Sequence, residues 1–563
     1  MMPIFFNVES HLWIAYLFFF NGLLINWLLR SCSTSYSELT KPIEAQVLAA
    51  FFISILINGA LLYCLDILNL SFAKMRFILP ILTAGLVLSS IYRSPRFAAL
   101  QPLRFEFGLA RLGIYAFVFI ILFYNGGLIE LLADSWWHMS LASKIASSST
   151  LAIDFGHLNS SHQRYYPPLW HGNLALAHTI SGESMVVLWN SFTAWGGVLK
   201  VMGFYLLALS LSHKKNIAIL SAALFVLLPG LGDSYLRVSA WPSHIAYTAL
   251  FAVFYVAFSI LDSKKDPEKS AVIHLKRILF DLIDERAKIL CVVMLLLVIF
   301  YSHQTELVWL TAAFLFYWIG VSVVGVFNAS AAKQCEPAFN FTRAMGLALL
   351  LSVFLVSVWF AFNSWERATT NIDLMVSYCL PVVMLIILLY LQLGMLSQPT
   401  GFAAKIYSKP LAISLLVIVG LVLLCSIDSR HFVSLFDPDQ AYPRGASHES
   451  FLVATGWFGG NLAIPGWHLQ LRGGLLYSGI VSLPLSLYLA IIRPSRLTVF
   501  LAATGILAFL FCSSPYFYQW LKDVLNYHSP WRIGIIIFHP IVIATACYTA
   551  WHSFIETEGP RNA

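Results

Sequence analysis

The sequence predicts an all-α polytopic membrane protein, a bundle of about 13–15 transmembrane helices with extracytoplasmic loops and juxtamembrane helices. Three observations support this fold class. Of the 563 residues, 59% are hydrophobic and 11% are charged, and the mean hydropathy is +0.77, unlike a soluble globular domain. Apolar stretches of about 20 residues, enough to cross a bilayer core, recur along the chain. Short polar connections separate most of them.

Each apolar stretch is expected to form one span. By residue number the stretches are 12–29, 47–67, 77–92, 109–127, 186–211, 217–231, 241–261, 289–301, 307–327, 344–362, 374–396, 411–427, 475–492, 499–512 and 533–551. No basic region precedes the first stretch and Arg30 follows it, which indicates a retained span and not a cleaved signal peptide. We interpret residues 1–563 as a single transmembrane domain and expect no soluble C-terminal domain. The eight cysteines contain no C-x-x-C pair, which argues against a zinc module or a disulfide framework.

Basic residues set the predicted orientation, because Lys and Arg resist translocation across the membrane. With the N-terminus outside, roughly two-thirds of the 34 basic residues fall in cytoplasmic connections. Two long connections that are poor in basic residues, 127–184 and 428–472, then become the first and second large extracytoplasmic loops. This bias accounts for the formal net charge of +7, so nucleic-acid binding is not expected.

A carboxylate opens the first large loop. The run Leu131-Leu132-Ala133-Asp134-Ser135-Trp136-Trp137-His138 follows the fourth span directly. Asp134 and His138 are four residues apart and share one face if this stretch is helical. Trp136 and Trp137 are typical of an interfacial aromatic belt. The alternative is that Asp134 merely caps a helix at the membrane surface.

A second motif in the same loop is an aromatic and proline-rich turn, Tyr165-Tyr166-Pro167-Pro168-Leu169-Trp170-His171. It leads into an apolar helix predicted over 172–180, which Gly182 ends. This helix is too short to span the membrane. We expect it to lie flat on the outer leaflet. The alternative is that the turn is a structural corner.

Together these motifs resemble the GT-C superfamily, polytopic transferases that use polyprenyl-phosphate sugars. The stretch from Tyr166 to Trp170 is most similar to arabinofuranosyltransferases of the actinobacterial cell-wall or Gram-negative pilin-modifying type. The specific match covers about residues 134–182, and the carbohydrate-binding C-terminal domain of several cell-wall members is missing. The resemblance implies an enzyme of the bacterial inner membrane whose active site faces the periplasm. Its partners would be a polyprenyl-phosphate sugar donor, membrane lipids, and a glycan, lipid or pilin-like protein as acceptor.

The expected reaction is an inverting transfer of a single sugar, with arabinofuranose as one candidate. It needs a base to remove the acceptor's proton, and the resemblance implies that Asp134 has this role. A carboxylate in a partly apolar cleft can have its pKa raised toward the working pH. His138 would orient Asp134 or contact the phosphate.

The leaving lipid phosphate needs cationic or hydrogen-bonding partners. Arg532 is preferred because it lies with His528 at the outer mouth of the last span, although it could also reach toward lipid headgroups. The further candidates for phosphate binding are His303 and Arg444, and those for substrate binding are Tyr166, Trp170, His171, Glu306 and Glu366.

Two other features concern a possible metal site and a lysine inside a span. The His303-x-x-Glu306 spacing suits two metal ligands, but two ligands without a partner cluster are weak evidence, so no metal or other cofactor is predicted. Lys200, inside a span, is expected to reach the cytoplasmic interface.

Two other functions remain open. A transporter would also have many spans with scattered ionisable groups, but such proteins usually bind at the bilayer midplane between repeats, and no repeat is visible here. An O-antigen polymerase or ligase would use polyprenyl-diphosphate glycans and depends on long His- and Arg-rich loops. The 428–472 loop, with His431, Arg444, His448 and His468, fits that description.

Overall fold

The computed structural model describes residues 8–97, 108–125, 133–151, 167–227, 239–262, 286–303, 306–307, 309–310, 312–314, 316–317, 320, 452–455, 460–463, 474–513 and 536–558. This part of the chain is helical apart from one short β-hairpin. In chain order the helices are α1 (Val8–Ala15), a π-helical segment (Tyr16–Phe20), α2 (Asn21–Cys32), α3 (Thr34–Leu39), α4 (Ile43–Ile67), a 3-10 turn (Phe72–Lys74), α5 (Met75–Phe97), α6 (Leu109–Asn125), α7 (Ala133–Ser148), α8 (Leu169–Ser181), α9 (Met185–Ser212), α10 (Lys215–Leu227), α11 (Pro242–Asp262), α12 (Arg286–Ser302), α13 (Gly474–Ile492), α14 (Arg496–Ser513) and α15 (His539–Glu558).

The membrane-spanning character of the chain is confirmed. Five segments of the described residues are long and apolar enough to cross a bilayer: Val8–Cys32, Ile43–Ile67, Phe72–Tyr92, Met185–Ser212 and Pro242–Ile260. They match predicted spans to within a few residues, because a run of apolar residues both favours lipid and satisfies its backbone groups as a helix. Shorter apolar helices lie in other predicted spans. The predicted spans 344–362, 374–396 and 411–427 lie outside the described residues.

The chain divides into two compact units. Unit 1 comprises Met1–Ser210, Asp233–Ser259 and Glu285–Leu307, and unit 2 comprises Leu211–Gly232, Ile260–Asp284 and Val308–Ala563. Within unit 2, α10 packs on α15 and α13 packs on α14. Its hairpin pairs β1 (Leu452–Thr455) antiparallel to β2 (Gly460–Ala463), with Leu452 opposite Ala463. The hairpin belongs to the second large loop of the sequence prediction.

Helices α2 and α4 pack closely in unit 1. A Cβ added at Gly22 would lie 1.8 Å from the carbonyl oxygen of Ala50, so only glycine permits this approach. The Gly22 amide donates to Ser54 Oγ at 2.8 Å across the same interface. Small residues therefore bring the two backbones together where apolar side chains would hold them apart.

Helix α8 is held against α4 by a buried polar network. The Asn173 amide donates to the carbonyl of Ile55 in α4 at 3.0 Å and to that of Leu169 at 2.9 Å. Asn58 of α4 donates to Asn173 Oδ1 at 3.1 Å and to the carbonyl of Leu17, in the π-helical segment, at 3.0 Å. These bonds fix the rotation and depth of α8.

The short helix after the proline turn is confirmed, and Gly182, with φ of 75°, ends it in the left-handed conformation. Its surroundings differ from those expected. Every residue from 169 to 177 is buried, whereas a helix flat on a leaflet would expose one face. The difference arises because α4 and α7 cover α8, and sequence periodicity does not reveal such coverage.

A second polar cluster in unit 1 joins α4, α6 and α9. The Glu44 side chain is fully buried, and its Oε1 accepts from Arg111 at 2.8 Å and from the Tyr115 hydroxyl at 3.0 Å. The Arg111 guanidinium also lies over the Tyr205 ring, 5.4 Å from its centroid. In the predicted orientation this cluster lies toward the cytoplasmic end. Buried charges of this kind persist only when they are paired.

Candidate functional site

The site begins at the first turn of α7. This helix runs from Ala133 to Ser148, so Asp134 lies in its first turn, one turn before His138. The predicted helical register of the two residues is therefore confirmed. The Asp134 side chain lies outside the described residues. Its role as a base stays a prediction.

His138 pairs with His171 across the contact of α7 and α8. His138 Nδ1 lies 3.0 Å from His171 Nε2, and both residues are buried. The other nitrogen of His171, Nδ1, lies 3.4 Å from the carbonyl oxygen of Pro167. The Asp-x-x-x-His motif of α7 and the proline turn before α8 thus meet in one site.

Tryptophans surround His138. Its ring stacks on Trp189 of α9, with an interplanar angle of 16°, and meets Trp137 edge to face at 4.9 Å between centroids. Trp241, just before α11, lies 6.3 Å from the His138 ring and donates from its indole nitrogen to Ser135 Oγ at 2.8 Å. This bond ties the first turn of α7 to α11. The imidazole is consequently held in a mostly apolar enclosure.

A second imidazole and carboxylate pair lies nearby. His303, immediately after α12, hydrogen-bonds through Nδ1 to Glu306, which is fully buried. Burial lowers the pKa of His171 to about 4; the hydrogen bond with the Pro167 carbonyl opposes this shift, and the neighbouring His303 adds to it. His171 is therefore neutral at neutral pH.

The prediction that Lys200 reaches the cytoplasmic interface is wrong. The lysine is 1% exposed, and Nζ lies 2.6 Å from Nδ1 of His244 and 3.2 Å from Ser239 Oγ. His244 is in the first turn of α11, the end that the orientation rule puts outside, so Lys200 points away from the cytoplasm. A buried amino group stays where hydrogen-bond partners exist, and Ser239 and His244 supply them here.

Of the remaining predicted site residues, Trp170 is described by the structure and the others lie outside the described part. Trp170 is fully buried, donates to the Ala240 carbonyl at 2.7 Å, and packs on Phe18 and Phe192, so its described contacts are with the protein core. The predicted site residues outside the described part are Tyr166, Glu366, Arg444, His528 and Arg532. Among the described residues, no three His, Cys, Asp or Glu side chains lie close enough to hold a metal ion.

Sequence reasoning missed Trp189 and the cluster of Ser239, His244 and Lys200. Trp189 follows the loop by only a few residues and looks like an ordinary residue of an apolar span. A weak signal for the cluster was the run Ser239-Ala240-Trp241-Pro242-Ser243-His244, because proline in a first helical turn places His244 within the first turn of α11.

The fold is shared with a solved membrane enzyme. The archaeal oligosaccharyltransferase AglB from Archaeoglobus fulgidus, in complex with an inhibitory peptide and a dolichol-phosphate, superposes with a TM-score of 0.50 at 14% identity over 81% of this chain and 52% of that one. The predicted all-α polytopic membrane fold is therefore confirmed, and it is similar to the fold of AglB. The finer resemblance to arabinofuranosyltransferases stays a prediction.

Two further structures of the Archaeoglobus fulgidus oligosaccharyltransferase are similar. The apo form gives a TM-score of 0.47 at 15% identity over 80% of this chain and 52% of that one. The form tethered to an acceptor peptide containing the NVT sequon gives 0.48 at 14% identity over 80% and 51%. This chain therefore spans about half the length of these enzymes. No protein-family model and no curated protein sequence matches it.

Proposed function

We propose that the protein is a membrane glycosyltransferase that moves a single sugar from a polyprenyl-phosphate donor to an extracytoplasmic acceptor. The observation that carries the proposal is the register of α7. It places Asp134 one turn before His138, which is buried against His171 from the Tyr-Pro-Pro-Leu-Trp turn. The proposal assigns both motifs of the GT-C resemblance to one site. The GT-C fold supports the same reading.

The reaction is a single displacement with inversion at the anomeric carbon. Asp134 removes the proton of the acceptor hydroxyl, and the acceptor oxygen forms the new glycosidic bond. The bond from the anomeric carbon to the phosphate oxygen breaks, and its electron pair leaves on polyprenyl phosphate. A positioned carboxylate suits this step because an alcohol is a weak nucleophile until its proton is removed.

The donor and acceptor assignments rest on the sequence. Arg532, His528 and Arg444 are proposed to bind the lipid phosphate, because charge-assisted hydrogen bonds stabilise the charge that develops there. The sugar is proposed to be a pentofuranose such as arabinofuranose, and the acceptor a glycan, lipid or pilin-like protein. The proposed location is the bacterial inner membrane with the site facing the periplasm.

A donor panel tests the reaction class. Purified protein is incubated with polyprenyl-phosphate sugars and, in parallel, with polyprenyl-diphosphate oligosaccharides, and free lipid phosphate is measured. We expect release of polyprenyl phosphate from one monosaccharide donor. Release only from the diphosphate lipids would identify a polymerase or ligase instead. Movement of a solute across proteoliposomes without any release would identify a transporter.

Substitution of the proposed base tests the mechanism. Asp134→Asn keeps the shape of the side chain and removes its basicity, so turnover should fall by about 10²–10⁴-fold while donor binding survives. The matched control is Asp66→Asn at the end of α4, whose carboxylate accepts from the Leu151 amide at 3.2 Å, a bond that an amide oxygen can also accept. The control should keep full turnover. Near wild-type transfer by a folded Asp134→Asn protein would refute the assignment.

A further inference from the structure

The contacts of the His138 and His171 pair determine where its protons lie. The Pro167 carbonyl oxygen has only lone pairs, so His171 Nδ1 must carry the hydrogen that lies between them. With a lone pair there instead, two acceptors would face each other at 3.4 Å. Neutral His171 has one N–H, so its Nε2 is an acceptor. The hydrogen between the two rings therefore belongs to His138 Nδ1.

We propose that Pro167 and His171 hold His138 as its Nδ1–H tautomer, which makes Nε2 of His138 the atom that accepts the proton released during sugar transfer. This inference rests on the proposed function and deepens it. His171 is then a positioning residue, since it acts on the reaction through His138. The sequence placed His171 among substrate-binding candidates, and its buried contacts suggest this different role.

The surrounding packing keeps His171 from turning away from His138. Helix α8 is anchored to α4 through two hydrogen bonds of Asn173, two residues after His171: one donated to the Ile55 carbonyl and one accepted from Asn58. Trp170, next to His171, is fully buried and bonded to the Ala240 carbonyl. The neutral state of His171 follows from burial, which lowers its pKa to about 4. Both the position and the protonation of the ring are therefore set before any substrate arrives.

The proton balance of the proposed step closes. Asp134 first receives the acceptor's proton as the glycosidic bond forms and polyprenyl phosphate leaves. His138 Nε2 then takes this proton from Asp134, one helical turn away along the chain. The resulting imidazolium keeps donating its Nδ1–H to neutral His171, and a hydrogen bond from a charged donor is stronger than one from a neutral donor. Asp134 is thereby returned to its basic form, and the imidazolium then releases the proton from Nε2 to water, which restores the Nδ1–H tautomer of His138.

The tautomer can be measured without any turnover. Protein labelled with nitrogen-15 in its 16 histidines is studied by NMR, and the His138 signals are identified as those lost in His138→Gln. The expected result is an Nδ1–H tautomer for His138 in the wild-type protein. In His171→Phe, which keeps an aromatic ring and loses both nitrogens, His138 should revert to the Nε2–H form that an unconstrained imidazole prefers.

The matched control is His178→Gln, on the same helix, where the wild-type His178 Nδ1 lies 2.6 Å from the Glu183 carbonyl. It should leave the His138 tautomer unchanged. An Nε2–H tautomer of His138 in the wild-type protein overturns the proposal, and so does persistence of Nδ1–H in folded His171→Phe. The wild-type spectrum decides alone if the Phe variant does not fold.

Activity gives an independent measurement. His171→Phe should lower kcat by up to about 10²-fold with donor affinity unchanged, because proton transfer suffers and binding does not. An unchanged kcat in a folded variant that has lost the Nδ1–H form shows that the tautomer does not serve transfer and overturns the proposal. If no donor in the panel is used at all, the proposed function fails, while the NMR result still reports the proton arrangement.

Discussion

The geometry of the imidazole pair depends on Asn173, and this dependence gives the most direct structural test. Asn173→Leu keeps the approximate volume of the side chain and removes its two donated hydrogen bonds and its accepted one. The carbonyl of Ile55 and one donor of Asn58 then lose partners in a buried region. The leucine side chain gives these groups no new partner, and an unsatisfied buried polar group costs about 1–3 kcal/mol.

The expected magnitude follows from the number of bonds. A neutral buried hydrogen bond contributes about 0.5–1.5 kcal/mol in soluble proteins, and about 0.6 kcal/mol on average between membrane helices. Three bonds therefore correspond to a loss of about 2–4 kcal/mol in the free energy of unfolding. Asn58→Leu/Asn173→Leu should cost less than the sum of its single changes, because removing both partners leaves fewer unsatisfied groups.

Unfolding of the purified protein in one fixed detergent, followed by tryptophan fluorescence, measures this loss. The matched control is Thr179→Val in the same helix, where the hydroxyl donates only to the Ala175 carbonyl one turn back. That control should change stability by no more than about 0.5 kcal/mol, as substitutions away from key features usually do. Equal stability of Asn173→Leu and Thr179→Val would refute the idea that the network anchors α8.

Two further predictions concern charge. Arg111→Met leaves the buried carboxylate of Glu44 without its cation and should lower the free energy of unfolding by about 3–5 kcal/mol, whereas Glu44→Met/Arg111→Met should restore most of this in the same fluorescence assay. An equal loss in the double variant would contradict it. The free energy of unfolding should also fall by up to about 3 kcal/mol as the pH falls from about 6.5 to about 4. In this range the histidine is protonated in the unfolded chain, whereas buried His171 stays neutral in the folded protein. His138 and His303 face His171, and a positive charge on either would repel a protonated His171. A His171→Gln protein whose stability has the same pH profile as wild type would contradict this prediction.

The parts of the fold that the sequence predicted are local. Spans depend on about 20 consecutive apolar residues, and their predicted bounds agree with the helices to within a few residues. The register of Asp134 and His138 is equally local, since any helix places residues four apart on one face. The end of α8 was predictable because glycine readily adopts the left-handed conformation that Gly182 has.

The parts that the sequence did not predict join residues far apart along the chain. His138 and His171 are 33 residues apart, and Lys200 and His244 are 44 apart. Each pairing depends on how helices pack, and hydrophobic periodicity says which residues avoid water but not which partner they meet. The enclosure of α8 was missed for the same reason. All nine residues from 169 to 177 are buried, and the sequence alone does not show which helices cover them.

The polar bonds of unit 1 connect its packing to its chemistry. The carboxamides of Asn58 and Asn173 help to set the rotation of α8, because their hydrogen bonds between α4 and α8 are directional. That rotation puts His171 within 3.0 Å of His138, and the backbone at Pro167 then decides which nitrogen carries the hydrogen. Asn58 touches neither histidine in the described contacts. A change at Asn58 should nevertheless alter the His138 tautomer, since it acts on the helix that holds the second ring.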